Sequence, residues 1–212
     1  ETPFVDVVND VDWHETHKLL KVGFTLGVSP DSATYEIPYG TIGRSCRPRT
    51  QAERAKYEVS GQRWADLSDS TYGVSVLNDS KYGWDCHGNV LRLSLLRSPL
   101  WPDSLADRGS HHFRFAIYPH AGDWRAARTE RLAAEYNTPL LAAREVGHAG
   151  ALGHQIAFAS VDTPGVELTW VKRAEDSDAL VLRLVEWNGR PATATVTLRP
   201  VIRAANKDRK RL

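Results

Sequence analysis

One arginine lies where apolar packing alone does not explain it. Alternation along the predicted strand Val90–Ser98 puts three leucines on one face, namely Leu91, Leu93 and Leu95. The same alternation places Arg97 next in this row. A guanidinium at the end of a buried row needs an anion, several hydrogen-bond acceptors or a route to solvent. Two interpretations stay open: Arg97 extends over the core edge into water, or it enters a cleft and binds a ligand or a partner domain.

A polar loop before this strand also contains residues suited to binding. Asp79 and Asp85 flank Tyr82 and Trp84 in the loop. A sugar stacks its apolar face on aromatic rings while its hydroxyl groups bond to Asn, Asp and Arg side chains, so this composition is typical of a carbohydrate site. A plain hairpin loop whose rings cover the end of a β-sandwich would have the same composition, and both interpretations stay open.

The histidines do not form a recognisable metal motif. His14 and His17 occur as HETH, which differs from the helical His-Glu-x-x-His spacing. On an extended strand an offset of three residues puts the two rings on opposite faces, and the adjacent His111 and His112 face apart for the same reason. The sequence also has no Gly-rich phosphate loop after a strand and no Gly-x-Ser-x-Gly elbow. We therefore expect no metal site in this chain.

The charge balance argues against a nucleic-acid or membrane partner. The 212 residues include 27 Lys and Arg against 26 Asp and Glu, which gives a net charge of +1. No apolar window is long enough to span a bilayer, and no signal peptide is visible. A short basic run at residues 207–211 is expected to be a solvated tail.

Cys46 and Cys86 are too few for a disulfide framework. The simplest interpretation is two free thiols in a reducing compartment, which predicts a cytoplasmic protein. A single bridge between the two residues is the alternative. The sequence contains no Met and enters a strand pattern almost at once, so we expect it to be the downstream piece of a longer chain.

Short extended patterns separated by turns dominate the chain. Two apolar strands joined by the polar loop are predicted within residues 72–99. The other predicted strands cover residues 4–13, 18–28, 34–42, 56–67, 111–118, 140–146, 156–161, 166–174, 180–187 and 192–198. Residues 43–51, 98–110 and 145–155 are expected to be loops, and residues 175–178 a hairpin turn. About a dozen strands with one helix predict an all-β sandwich.

The single predicted helix covers residues 123–136. Asp123 can cap its N-terminus, and Trp124, Arg128, Leu132 and Tyr136 form a column at intervals of four residues. Asn137, which precedes Thr138 and Pro139, can end the helix in a left-handed turn.

Several motifs together resemble one enzyme family. They are VDWHE and HKLLKV near the start, then ATYEI, RWADLS, LNDSKYG, LRLSLLRSP and YPH. As a set they are similar to segments of the α-mannosidases of glycoside hydrolase family 38, over most of the chain from Val11 to about Gly189. The resemblance implies a C-terminal domain over residues 1–212, with residues 199–212 as a tail. The implied fold is a large antiparallel β-sandwich of the supersandwich, galactose mutarotase-like type.

The resemblance also implies which parts of the enzyme are elsewhere. In this family a catalytic β/α domain comes first and contains the zinc ligands, the aspartate nucleophile and the acid/base carboxylate. We therefore expect no catalytic residue and no cofactor in this chain, with zinc in the catalytic domain. The expected partners are that domain of the same polypeptide and a mannoside substrate, and self-association into a homo-oligomer is a further expectation. The implied reaction is retaining hydrolysis of terminal α-D-mannosides.

The family pattern points to four residues at the rim of the sugar pocket. Arg97 matches a strand whose arginine approaches the sugar in family relatives, and Asn78, Asp79 and Tyr82 are weaker candidates. Two rival hypotheses stay open. One is a free carbohydrate-binding module with a stacking platform of Tyr82, Trp84 and Trp101, and the other is a purely structural sandwich.

Overall fold

The computed structural model describes residues 2–28, 30–147, 149 and 154–199. They divide after Leu140 into two compact units. The sequence analysis predicted one domain over the whole chain. Residues 140–147 contain no helix or strand, and the side chains of Leu140 and Leu141 are almost fully exposed.

The first unit contains ten strands and two short helices within the described residues. They are β1 Val5–Trp13, β2 Lys18–Thr25, β3 Ser32–Ile37, β4 Gly40–Ser45, α1 Gln51–Arg54, β5 Val59–Ser60, β6 Trp64–Ser68, β7 Tyr72–Asn78, β8 Gly83–His87, β9 Val90–Ser98, β10 Gly109–Ala121 and α2 Thr129–Asn137. One sheet has the order β1-β10-β7-β6-β3-β4, and the other has the order β2-β9-β8-β5. All neighbouring strands in both sheets are antiparallel.

The two sheets pack face to face around one apolar core. The six-stranded sheet contributes Tyr35, Leu67, Val76 and Phe115, among others, and the four-stranded sheet contributes Trp84, Leu91 and Leu93. In the six-stranded sheet the central strands β6 and β7 are buried on both faces, because Trp124 and α2 pack on the side away from the core. The predicted all-β antiparallel sandwich is confirmed.

The second unit contains two separate antiparallel pairs. Strand β11 (Ala159–Val161) pairs with β14 (Val196–Leu198), and β12 (Val166–Arg173) pairs with β13 (Leu180–Glu186). The predicted turn at residues 175–178 lies between β12 and β13 and is confirmed. The strand predicted over residues 140–146 is wrong, since this segment makes no ladder. The basic run at 207–211, most of the predicted tail and part of the predicted loop 145–155 lie outside the described residues.

Three element predictions in the first unit are corrected. Residues 34–42 are not one strand: β3 and β4 form a hairpin whose turn contains Pro38 and Tyr39, and Tyr39 has a φ of 56°. Pro38 cannot donate to a ladder, which favours a turn at this point. Strand β4 then occupies part of the predicted loop 43–51. The polar loop predicted before β9 contains a further strand, β8, so the 72–99 segment holds three strands and not two.

The helix predictions were also partly wrong. Helix α2 begins at Thr129 and not at Asp123, because Arg128 adopts a left-handed conformation with a φ of 54°. The Asp123 carboxylate instead accepts bonds from the backbone N–H groups of Arg125 and Ala126, which closes a separate turn. A second helix, α1, was missed, although its capping box was present in the sequence as Thr50 and Glu53.

Among the described residues, no helix combines the length and the hydropathy that crossing a bilayer would require.

Burial of two tyrosines predicts a loss of stability at alkaline pH. Burial raises the pKa of Tyr35, and it also raises the pKa of Tyr136, whose hydroxyl donates to Asp6 at 2.6 Å. Above about pH 10 these tyrosines ionise in the unfolded chain but stay neutral in the folded chain, so the free energy of unfolding falls by about 1.4 kcal/mol per pH unit for each group. Urea denaturation between about pH 8 and about pH 11 measures this fall.

The matched variant is Tyr35→Phe, which keeps the ring against Trp84 (centroids 6.3 Å apart) and removes the ionisable hydroxyl. We expect its stability to fall less steeply above about pH 10 than that of the unmodified chain. If the free energy of unfolding falls equally steeply with pH in both chains, Tyr35 does not contribute to the loss of stability at alkaline pH.

Candidate functional site

A β-bulge in β9 changes the direction in which Arg97 points. In the pairing of β2 with β9, Leu20 lies opposite Leu96 and Lys21 lies opposite Ser94, so Leu95 has no partner. An extra residue of this kind reverses the alternation for the rest of the strand. The core-facing row therefore continues through Leu96, which packs with Trp13 and Phe113.

The prediction that Arg97 extends the leucine row is wrong for this reason. Beyond the bulge, Leu96 and Ser98 are buried and Arg97 is exposed. Ser98 accepts a hydrogen bond from the indole N–H of Trp13 at 2.5 Å, which fixes its side chain toward the interior. The Arg97 side chain therefore leaves the outer face of the four-stranded sheet.

Arg97 lines an open depression at one end of this sheet. Its neighbours there include His17, Leu19, Leu100 and Trp101. The Arg97 backbone N–H donates to the Asp107 carboxylate at 2.9 Å, which fixes the end of β9. Within the ranges that the structure describes, no carboxylate forms an ion pair with the Arg97 guanidinium. The side chain of Trp101 is 81% exposed, so an apolar surface and an available cation lie side by side.

The loop between β7 and β8 reaches the same end of the sandwich. Gly83 pairs with Ser94, so the loop residues just before Gly83 run beside the bulge in β9. Tyr82, in this loop, has a side chain that is 61% exposed. The strand register therefore places Tyr82 and Arg97 toward the same end of the four-stranded sheet.

A charged side chain of the loop between β7 and β8 interacts with Asp107, which lies in the segment after β9. The Lys81 ammonium lies 4.3 Å from the centroid of Phe113, and its burial lowers its pKa against the opposing effect of Asp107 and Asp79. The Asp79 carboxylate also lies 3.6 Å from the Arg114 guanidinium. Lys81 adjoins Tyr82 in the sequence, but its type alone did not mark it as part of the site, and the position of Asp107 beside Arg97 depends on the fold of the loop after β9.

Asn78 holds the loop and is buried. Its side-chain oxygen accepts from the backbone N–H groups of Ser80 and Lys81 at 3.1 and 2.7 Å. Its side-chain amide donates to the carbonyl oxygen of Gln62 at 2.9 Å. These bonds close an Asx-type turn after β7, so we do not retain Asn78 among the proposed sugar contacts.

Trp84 cannot belong to a surface stacking platform. Its side chain is fully buried in the core, where it packs edge-on against Tyr35. Asp85, on the other side of the sheet, is also buried and accepts from Lys21 and Arg92 at 2.6 Å each. The predicted platform of Tyr82, Trp84 and Trp101 is therefore wrong in its central member.

No three His, Cys, Asp or Glu residues cluster in a way that could hold a metal ion in the part of the chain that the structure describes. Only pairs of such residues occur there: the buried His120 side chain lies 2.8 Å from the buried Asp66, and two further pairs are exposed. His14 lies 2.8 Å from Asp12, and His112 lies 2.7 Å from Asp10. The residues present therefore do not fit a zinc centre of three or four protein ligands.

Two family descriptions match this chain in sequence order. "Glycosyl hydrolases family 38 C-terminal domain" matches residues 1–105, and "Glycosyl hydrolases family 38 C-terminal beta sandwich domain" matches residues 165–207. The chain belongs to the C-terminal domains of glycosyl hydrolase family 38.

The chain is also similar to part of several proteins named as α-mannosidases. Human "Alpha-mannosidase 2C1" is 44% identical over 190 residues, which cover 88% of this chain and 18% of the relative. "Alpha-mannosidase G" of Dictyostelium discoideum is 36% identical over 194 residues, which cover 91% of this chain and 18% of the relative. An α-mannosidase structure from Enterococcus faecalis V583 superposes with a TM-score of 0.84 at 16% identity, covering 93% of this chain and 23% of that one. This last likeness shows the fold alone.

Proposed function

We propose that this chain acts as the C-terminal part of a retaining, zinc-dependent α-mannosidase. It packs against a catalytic domain of the same polypeptide and contributes to the rim of that domain's sugar pocket. The relatives named as α-mannosidases are about five times longer than the matched region, since 18% of the human relative is covered. The catalytic carboxylates and the zinc ligands belong, in this proposal, to the part of the enzyme outside the matched region.

The proposed contribution of this chain is to position the sugar. Arg97 donates its guanidinium N–H groups to sugar hydroxyl oxygens, and Tyr82 and Trp101 cover an apolar sugar face or the facing domain. A carboxylate of the catalytic domain attacks the anomeric carbon in retaining hydrolysis. Contacts that tighten as the ring distorts lower the barrier, whereas contacts made equally to the bound substrate do not.

The observation that supports this proposal best is the Arg97 surface. A guanidinium without a carboxylate partner among the described residues lies beside the exposed rings and side chains of Trp101, Leu100 and Leu19. Exposed apolar side chains grouped around a cation are typical of surfaces that a ligand or a partner covers.

The proposal is tested by comparing this chain with a full-length enzyme that contains it. We expect the full-length enzyme to hydrolyse an aryl α-mannoside, and the 212-residue chain alone to give no rate above buffer, because this proposal assigns the nucleophile and the zinc ligands to the other part of the enzyme. Turnover by the chain alone, retained after metal chelation and size-exclusion purification, would contradict the proposal.

Exposure of Tyr82 and Trp101 keeps a carbohydrate-binding module as the second candidate. We expect calorimetric titration of the chain with mannose and methyl α-mannoside to show no binding at about millimolar concentration, since one half of the sugar pocket is contributed elsewhere. Binding that Trp101→Ala abolishes, and that the exposed-site control Tyr57→Ala leaves unchanged, would favour the module. The cytoplasmic location and the self-association stay predictions.

A further inference from the structure

The two cysteines of the chain meet between the sheets of the first unit. Cys46 directly follows β4, the edge strand of the six-stranded sheet, and Cys86 lies in β8 of the four-stranded sheet. Both are free thiols in the same apolar core cluster. The Cys46 backbone and the Cys86 side chain both contact Gly88, so the two cysteines are close neighbours in this core.

The backbone at Gly88 holds this pair in place. The Gly88 N–H donates to the Cys46 carbonyl oxygen at 2.8 Å. The Cys86 sulfur lies 3.8 Å from the Gly88 carbonyl oxygen. Cys46 lies in a bend just after β4, and its backbone N–H donates to the Asp31 carbonyl oxygen at 2.8 Å.

A solvent-open cavity of about 220 Å³ leads to one of the two sulfurs. It is lined by Cys86 together with Tyr35, Ile42, Arg44, Lys56 and His87. Cys86 is 7% exposed and Cys46 is 1% exposed, so a small oxidant entering the cavity meets Cys86 first.

We propose that Cys46 and Cys86 form a peroxide-sensitive dithiol that closes to a reversible disulfide between the two sheets. The oxidant is hydrogen peroxide or another small hydroperoxide. Reduction by a thiol reductant restores the two free thiols. This modification site is independent of the proposed mannosidase function.

The dithiol first loses one proton to solvent, so that the pair holds one proton and one negative charge. When the remaining proton is on Cys46, the Cys86 thiolate, which faces the cavity, attacks peroxide. An S–O bond forms, the O–O bond breaks and hydroxide leaves, which gives a sulfenic acid at Cys86. Hydroxide takes the Cys46 proton and becomes water. The Cys46 thiolate then attacks the Cys86 sulfur, so that the S–S bond forms, the S–O bond breaks and a second hydroxide leaves and is protonated to water.

The electrostatics favour one thiolate within the pair. The neighbouring Cys86 thiol lowers the pKa of Cys46, and the nearby Arg47 acts in the same direction. A thiol that ionises more readily is the more available nucleophile for closing the disulfide. Disulfide closure would link the edge strand β4 to the opposite sheet across a loop of about 40 residues, which restricts the unfolded chain.

The test treats the folded 212-residue chain with hydrogen peroxide and then blocks free thiols. We expect the mass to fall by two hydrogen atoms, both cysteines to become inaccessible to a thiol reagent in denaturant, and the chain to remain monomeric on a non-reducing gel. The oxidised chain should melt roughly 5–10 °C higher, and dithiothreitol should reverse the shift. The chain contains no Met, so mass gains from Met oxidation do not complicate the spectrum.

Cys46→Ser is the matched variant, with Cys46→Ala as a second variant if the serine hydroxyl perturbs the core. Without Cys46, the sulfenic acid at Cys86 cannot be resolved, and we expect it to be trapped by dimedone. Two titratable thiols after peroxide treatment, or stepwise addition of oxygen without loss of two hydrogens, would overturn the proposal. A disulfide that joins two chains would overturn it as well.

Discussion

Trp84→Ala is expected to lower the free energy of unfolding of the first unit by about 3–5 kcal/mol. The indole is fully buried between the two sheets and packs edge-on against Tyr35. Its surroundings are close-packed, since a Cβ atom at Gly61 would lie only 2.8 Å from the indole. Removing the ring therefore leaves a cavity that the neighbouring strands cannot fill without distorting their ladders. Urea denaturation followed by far-UV circular dichroism measures the change.

The matched control is Trp101→Ala, which removes the same side chain from a site where it is 81% exposed. For this variant we expect the free energy of unfolding to change by no more than about 0.5 kcal/mol. Equal losses for the two variants would contradict the assignment of Trp84 to the core and would reopen its role on the surface.

The burial of Trp84 contradicts the exposed position that the stacking-platform hypothesis required. Strand β8 was taken as loop because glycine, aspartate and histidine surround Trp84, and that composition is typical of a turn. The structure accommodates Asp85 in a strand because Lys21 and Arg92, on two different strands, neutralise its charge. Arg92 faces Asp85 across the β8–β9 hairpin, but no local pattern could indicate the contact with Lys21, which is 64 residues away in the sequence.

The alternating strands with their turns were sufficient to predict the sandwich and most strands of both units. Alternation failed at Leu95, where one unpaired residue reverses the orientation of everything after it. Leu95 is a leucine among leucines, so nothing in its type marks a bulge. The family motifs nevertheless indicated Arg97, and the structure brings it to the same end of the sheet as Tyr82.

Arg97→Ala, made in a full-length α-mannosidase that contains this chain, is expected to lower kcat/KM at least about tenfold, or about 1.4 kcal/mol in the barrier. The exposed guanidinium has no carboxylate partner among the described residues, so its loss should cost activity and not stability. The backbone N–H that donates to Asp107 is retained in the variant. A melting temperature within a few degrees of the unmodified enzyme would verify that the fold is intact.

Arg131→Ala provides the matched control. Arg131 is exposed on α2 and pairs with Glu135 at 2.8 Å within the same helix, so its removal changes the net charge equally without touching the Arg97 surface. We expect its kinetic constants to stay within about twofold of the unmodified enzyme.

The bulge in β9 directs the Arg97 side chain to the outer face of the four-stranded sheet. This orientation matters for function only if another part of the enzyme brings a bound sugar to that face. Steady-state kinetics of the Arg97→Ala and Arg131→Ala enzymes on one aryl α-mannoside test this most directly. We predict a large fall in kcat/KM for the first and none for the second. Equal activity of the two folded variants would contradict a role for Arg97 at the sugar pocket.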